Sequence, residues 1–349
     1  MILYYLVIFL SICIAVRAEK NNNIRWVFGV IVLLSLLAGF RDYSVGTDTY
    51  TYYRTFMNIA NGGLSILEVG FVMVSRFLMM LFGDARALFV IYAFVINGLI
   101  IRRLWDFREY CSFGFMCFLY VTMFFPQTMN IMRQYIALAI VFFATRYIYN
   151  RKYIWFILGV LLASILHTSA LVSIFLIIPN YYFNGRGITK KKVALTMILI
   201  ACIPIINRGI IYLYNVYDRY FGEASIGLSL LSLLRIGTII VFAFLAINYK
   251  NYFWNKKIPK REFRIVTLIY IISVGITIIG NIYEYVGRVS IYFIMFEIVF
   301  AAMLARYEKN KKFKLFSMIY VFLALYFLII KTGYLGENGI MPFSISLFE

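Results

Sequence analysis

The stretch YIWFILGVLLASILHTSALVSIFLIIPNYYF, residues 153–183, is apolar over almost its whole length, and His167, the only histidine of the chain, lies near its middle. A run of this length and composition is typical of a membrane span, since lipid offers the backbone no hydrogen-bond partners outside its own helix. It can form one long span over 153–178, or two helices that turn near His167. The choice decides the topology of the whole chain.

The same apolar character extends from Met1 to about Ile330. The mean hydropathy is +0.86, 63% of residues are hydrophobic and only 14% are charged. At roughly 20 residues per span, 349 residues predict an all-α polytopic membrane protein of about 12 transmembrane helices. We therefore expect a single integral membrane domain over residues 1–349, with no room for a soluble catalytic domain.

Charge placement favours the turn at His167. In the preferred topology 24 of the 34 Lys and Arg residues lie in short loops on one side, which the positive-inside rule makes cytoplasmic. This rule explains most of the net charge of +19, so nucleic acid is not an expected partner. The predicted spans are 2–16, 26–40, 86–101, 111–125, 133–149, 153–166, 168–183, 193–207, 229–247, 265–281, 288–305 and 315–330.

This topology places both termini outside and leaves two outer loops, 41–65 and 207–228. The segment 64–82 then lies on the outer face as an interfacial helix. The rival topology makes 64–82 a span and 153–178 one long span. It moves six cations of the inner loops outside, which the rule disfavours.

The outer cations have a distinct composition. Of the ten that remain outside, nine are arginine, the side chain that binds phosphate and carboxylate through two parallel hydrogen bonds. Some of these arginines can simply pair with outer acids. The excess of arginine in the outer set also predicts a specific anionic partner.

Several outer segments carry candidate functional residues. Asp48 lies among tyrosines in the first outer loop, and Glu68 interrupts the apolar segment that follows it. Pro126 is expected to end one helix, so that Asn130 would share a face of the next with Arg133 or Gln134. His167 carries an imidazole, the side chain most often used as a general base, and is a candidate for that chemistry.

Four of these segments resemble the EpsG family, which is related to the Wzy-type O-antigen and exopolysaccharide polymerases. They are GTDTYTYY at 46–53, EVGF at 68–71, MRQYIAL at 132–138 and LHTSAL at 166–171. The resemblance implies polymerisation of oligosaccharide repeat units carried on undecaprenyl pyrophosphate, at the outer face of the bacterial cytoplasmic (inner) membrane. It also implies a fold like that of the GT-C glycosyltransferases, and neither a metal nor another cofactor is expected.

On this resemblance we assign provisional roles. His167 is the first candidate for the general base, Asp48 the second and Glu68 the third. Pyrophosphate binding is expected of Arg133 and Arg288, assisted by Arg54 or Arg219, and sugar binding of Tyr52, Tyr283 and Gln134. The partners expected are the lipid-linked donor and acceptor glycans, the bilayer and a chain-length regulator. A glycan ligase, a flippase for lipid-linked oligosaccharide and a scaffold of a synthase complex remain alternatives.

Overall fold

The computed structural model describes residues 2–182, 233–240, 260–280, 284–306 and 311–346. Within these ranges the regular secondary structure is helical, apart from one isolated antiparallel bridge between Arg41 and Ile345. Four of the described helices are long and apolar enough to span a membrane, and a bent pair over 287–305 makes a fifth candidate. The all-α class is confirmed, whereas the number of about 12 spans stays a prediction.

The helices follow the predicted spans closely. In residues 2–182 they are α1 Ile2–Asn21, α2 Ile24–Gly39, α3 Thr49–Ala60, α4 Val69–Phe82, α5 Ala85–Asp106, α6 Phe113–Leu119, α7 Phe125–Thr128, α8 Met132–Tyr149, α9 Tyr153–Leu166 and α10 Ile177–Tyr182, with a π-helical turn over Tyr120–Phe124 and 3-10 segments over Phe107–Glu109 and Thr168–Leu176. Later come α11 (233–240), α12 Lys260–Gly280, α13 Glu284–Val289, α14 Ile291–Ile294, α15 Phe296–Ala305 and α16 Lys311–Leu325, with a π-helical segment over Tyr326–Tyr334 and a 3-10 turn over Glu337–Gly339.

Four of the predicted inner loops have described residues that meet at one end of the helix bundle. Asp106, at the end of α5, accepts hydrogen bonds from Arg103 at 3.3 Å and from Arg146, at the end of α8, at 2.7 Å. Arg108 donates to the side chain of Asn22, and Arg306 donates to the backbone of the nearby 3-10 segment. We call this the basic end.

The turn predicted near His167 is confirmed. His167 has extended backbone angles, which end α9 and redirect the chain. The returning segment brings the Asn180 side chain back to the basic end, where its Nδ2 donates to the Ile148 carbonyl at 3.0 Å and to the Tyr153 hydroxyl at 2.7 Å. The rival of one long span over 153–178 is therefore wrong.

The opposite end holds the predicted outer segments, and we call it the site end. Here the Arg41 guanidinium is 1% exposed and donates to Thr49 Oγ1 at 3.0 Å and to the Met129 carbonyl at 2.9 Å. Arg86 is equally buried, donates to the Arg41 carbonyl and stacks on the Tyr43 ring. Arg41 is satisfied by the fold itself, so the expectation of an anionic partner does not extend to it.

The two predicted outer loops have different outcomes. The loop predicted over 41–65 contains α3, whose inner face buries Tyr52, Phe56 and Ile59. The loop over 207–228 and the span over 193–207 lie outside the described residues, as does most of the span over 229–247.

Helix α4 has 14 residues and is about 21 Å long, shorter than the hydrocarbon core of roughly 30 Å. Its large apolar residues Met73, Phe77 and Met80 are exposed. This length and surface suit the interfacial position predicted for 64–82, which stays a prediction.

The C-terminal segment closes over the first outer loop. The amide of Asp42 donates to the Ser344 carbonyl at 3.0 Å, and the amide of Gly46 donates to the Gly339 carbonyl at 2.7 Å. The Tyr4 and Phe343 rings are 5.3 Å apart between centroids, so both chain ends lie at the site end. Which side of a membrane this end faces stays a prediction.

Gly46 is required by this closure. Its φ of +93° lies in the left-handed region, and a Cβ there would approach the side-chain oxygen of Asn130 to 2.6 Å. We expect Gly46→Ala to lower the melting temperature in detergent by about 3 °C or more, because both strain and a clash are introduced. Gly62→Ala is the matched control, since Gly62 has a φ of +76° with open space around it. Equal losses for the two variants would contradict the tight packing of this loop.

Candidate active site

Glu68 joins three separate segments at the site end. It directly precedes α4, and its Oε2 accepts a hydrogen bond from Nη1 of Arg133, at the start of α8, at 2.5 Å. Its Oε1 lies 2.7 Å from Nδ1 of His167, in the turn after α9. The amide of Thr168 also points to Oε1, at 3.4 Å. One carboxylate thus binds two side chains that are 65 and 99 residues away in sequence.

The electrostatics keep this carboxylate ionised. The side chains of Glu68, Arg133 and His167 are 17%, 23% and 16% exposed. Burial by itself raises the pKa of Glu68, but the hydrogen bond and charge of His167 and the charge of Arg133 outweigh it and lower the pKa to about 2. A carboxylate with so low a pKa is a weak proton acceptor, so Glu68 is better suited to orienting its partners than to acting as a base.

The contact with Glu68 also determines how His167 can react. An ionised carboxylate beside Nδ1 favours the neutral tautomer whose proton is on Nδ1. In that tautomer Nε2 carries the lone pair and can accept a proton. A histidine base oriented by a carboxylate is the arrangement that activates hydroxyl nucleophiles in many enzymes.

The start of α8 positions Arg133 and Gln134. A π-helical turn precedes Pro126, and the helix breaks before Met132, so Asn130 lies in the turn. The prediction that Asn130 shares a helical face with Arg133 or Gln134 is therefore wrong. Its Nδ2 instead donates to the Asn338 carbonyl at 2.8 Å.

A cavity of about 630 Å³ opens beside this cluster. Its polar and charged lining consists of Asp48, Gln127, Gln134, Arg235, Arg288 and Ser290. The rest of the wall is largely apolar, with the rings of Phe124 and Phe327 among its members. Cavities of this size and mixed lining suit small polar ligands.

The Glu68 cluster and the cavity are linked through the start of α8. Gln134 follows Arg133 in α8, lines the cavity and donates to the Arg288 carbonyl at 2.6 Å. The Tyr52 hydroxyl lies 3.4 Å from the Arg133 amide, and the Tyr52 amide donates to the carbonyl of Asp48 at 2.9 Å. The two features are therefore neighbours at the site end, although Glu68, Arg133 and His167 are not among the residues that line the cavity.

Most of the predicted site residues meet here. His167, Glu68, Arg133 and Tyr52 form the cluster, and Asp48, Gln134 and Arg288 line the cavity. Arg54 is exposed on α3, two residues from buried Tyr52 and so on the opposite helical face. Arg219 and Tyr283 lie outside the described residues.

Sequence reasoning missed Arg235 as a site residue. It lines the cavity and forms a buried ion pair with Glu297. Each of the two is a single charge inside an apolar run, a signal that by itself marks a functional position in a membrane protein. Among the described residues, no three His, Cys, Asp or Glu side chains come together as potential metal ligands.

The depressed pKa of Glu68 predicts a pH-dependent stability. Because the folded-state pKa is about 2 against an ordinary 4.5, the stabilisation is complete above pH 4.5 and is lost as the pH falls toward 2. The difference in melting temperature between the wild type and Glu68→Gln should therefore shrink over this window. Thermal unfolding in detergent at a series of pH values measures it.

Glu337→Gln is the control for this comparison, since Glu337 is a more exposed carboxylate at the same end, paired with Lys331 at 2.9 Å. A wild-type advantage over Glu68→Gln that stays constant down to pH 2 would contradict the ionised state of Glu68.

Comparison with known proteins gives one match. The model of the EpsG family matches residues 24–345, nearly the whole chain. No curated protein and no solved structure matches the chain.

The family match agrees with the resemblance of the four short segments and extends it beyond residue 175. The family is one of Wzy-like polymerases, which indicates a membrane protein of polysaccharide biosynthesis and a glycosyl-transfer enzyme in general. The chain therefore belongs to the EpsG family.

Proposed function

We propose that this protein polymerises oligosaccharide repeat units carried on undecaprenyl pyrophosphate, at the outer face of the bacterial cytoplasmic membrane. The observation that carries the proposal is the Glu68-oriented histidine beside Arg133, at the edge of a polar cavity. The family supplies the class of reaction, exopolysaccharide or O-antigen polymerisation. A GT-C-like arrangement of the helices is part of the proposal.

The reaction we propose is a displacement at an anomeric carbon. A sugar hydroxyl of the acceptor, a lipid-linked repeat unit, attacks the first sugar of the donor glycan. The new glycosidic bond forms as the bond from the anomeric carbon to the phosphate oxygen breaks, and undecaprenyl pyrophosphate leaves. Nε2 of His167 takes the hydroxyl proton, and Glu68 stabilises the imidazolium that results.

The leaving group needs positive charge, because its bridging oxygen gains negative charge as the bond breaks. Arg133 precedes Gln134 in α8, and Arg288 lines the cavity and accepts a hydrogen bond from Gln134 through its carbonyl. We assign the two guanidinium groups to this purpose. Asp48 is the second candidate base, at the cavity wall. Tyr52 and Gln134 position the sugars, and Arg54, Arg219 and Tyr283 keep the roles expected from the sequence as proposals.

The orientation in the membrane follows from the two ends of the bundle. Arg103, Arg146 and Arg306, from the predicted inner loops, lie at the basic end, and the positive-inside rule favours a cytoplasmic position for that end. The site end then faces outward with both termini. This is the side on which lipid-linked repeat units are available to a polymerase of this type.

We expect purified protein in liposomes to elongate undecaprenyl-pyrophosphate-linked repeat units, and His167→Ala to slow elongation about 100-fold or more, because the base is lost. Glu68→Gln should slow it about 10- to 100-fold, because the imidazole loses its orienting partner. The rate of appearance of longer lipid-linked glycans, separated by gel electrophoresis, measures both effects. Glu337→Gln serves as the control and should elongate at the wild-type rate.

Three other outcomes would point elsewhere. Translocation of the lipid-linked unit without elongation would support the flippase. Transfer of a finished glycan to a different acceptor would support the ligase. Product formation that is unchanged by His167→Ala would contradict the proposed base and would fit a scaffold.

A further inference from the structure

Arg235 lines the cavity and forms a buried ion pair with Glu297. Nε and Nη2 of Arg235 contact Glu297 Oε2 at 3.1 and 2.8 Å. The two residues are 7% and 1% exposed. Both contacts lie on one edge of the guanidinium, so Glu297 holds the planar group in a fixed orientation and leaves the Nη1 edge for another acceptor.

Arg235 lies at the inner wall of the cavity, away from the outer loops. Gly280, the last residue of α12, lines the cavity, and so does Phe327, at the junction of α16 with the π-helical segment. Tyr270 and Tyr320 precede these two residues by ten and seven positions, and their hydroxyls lie 3.2 Å apart in a layer closer to the basic end. The Thr238 hydroxyl, one turn after Arg235, is hydrogen-bonded to the Tyr270 hydroxyl at 2.8 Å. Arg235 therefore separates the cavity from the middle of the bundle.

A buried ion pair usually contributes little to the free energy of folding. Desolvation of two charges offsets most of their attraction, and apolar replacements of similar volume are often neutral or stabilising. An arginine in the membrane interior that borders a cavity is instead a functional position by default. The neighbouring wall residues Ile291 and Ile294 are apolar, which strengthens any charge interaction made there.

The chemistry of the proposed substrate matches this placement. A lipid-linked glycan has its hydrocarbon chain in the bilayer, its diphosphate at the next level outward and its sugars beyond. The cavity has Asp48 near the outer loops and a fixed guanidinium at the inner wall. Guanidinium groups bind phosphate oxygens through paired hydrogen bonds.

We propose that Arg235, anchored by Glu297, binds the diphosphate of the lipid-linked substrate at the inner wall of the cavity. Arg235 and Arg288, which both line the cavity, then neutralise the diphosphate together. This inference rests on the proposed function and adds a binding residue that neither the sequence motifs nor the family match identifies.

The test compares the binding of undecaprenyl pyrophosphate and of uncharged undecaprenol to purified protein in detergent, by native mass spectrometry. The double variant Arg235→Met/Glu297→Met removes both charges together and avoids an unpaired buried carboxylate. We expect it to bind undecaprenyl pyrophosphate at least tenfold more weakly and undecaprenol with unchanged affinity. Arg235→Lys keeps the charge but loses the planar guanidinium that forms two parallel hydrogen bonds, and should weaken diphosphate binding about fivefold.

Arg103→Lys is the matched control, because Arg103 is a buried arginine paired with Asp106 at the basic end, far from the cavity. It should bind both lipids as the wild type does. If the double variant elutes as a folded protein and binds undecaprenyl pyrophosphate within twofold of the wild type, the inference is overturned. Equal weakening by Arg103→Lys and Arg235→Lys would overturn it too.

These results are separable from failure of the proposed function. A wild-type protein that binds undecaprenyl pyrophosphate through Arg235 but never elongates a glycan would overturn the polymerase proposal and leave this inference standing. Normal elongation together with unchanged binding by the Arg235 variants would overturn the inference alone.

Discussion

The carboxylate of Glu68 is the contact on which the account of this protein depends. It holds Arg133 and His167 together, although these residues come from the start of one helix and the turn after the next. Because Glu68 stays ionised between two potential cations, it can fix the imidazole tautomer without competing for the substrate proton. The same contact brings α4 against the turn after α9, where the absence of a side chain at Gly70 lets the backbone of Ile165 come close.

The charged residues of the basic end and of the site end have different surroundings, and the Glu68 contact lies at the end with the cavity. Arg103 and Arg146, from two of the predicted inner loops, meet around Asp106 at the basic end. Arginines at the site end divide into two kinds. Arg41 is satisfied by backbone and hydroxyl oxygens of the fold, whereas Arg288 faces a cavity. The fold thus uses Arg41 as an internal support, whereas Arg288 is part of a cavity wall.

Much of this arrangement could be read from the sequence, because hydropathy and charge act locally. Charge placement alone predicted the turn at His167, which Asn180 confirms by returning to the basic end. The contact of Glu68 with His167 spans 99 residues and depends on how helices pack, which no local pattern records. The prediction for Asn130 failed because α8 begins two residues later than Asn130. The pairing of Arg235 with Glu297 likewise appears only in three dimensions.

A double-mutant cycle between Glu68 and His167 tests the central claim most directly. A glutamine at position 68 keeps an oxygen acceptor for Arg133 but loses the charge that stabilises the imidazolium. The account therefore holds that Glu68→Gln slows catalysis through the imidazole, so the effects of the two variants cannot add. The elongation rate of the double variant Glu68→Gln/His167→Ala should then lie within about twofold of the rate of His167→Ala alone. A double variant whose loss equals the product of the two single losses would contradict the account.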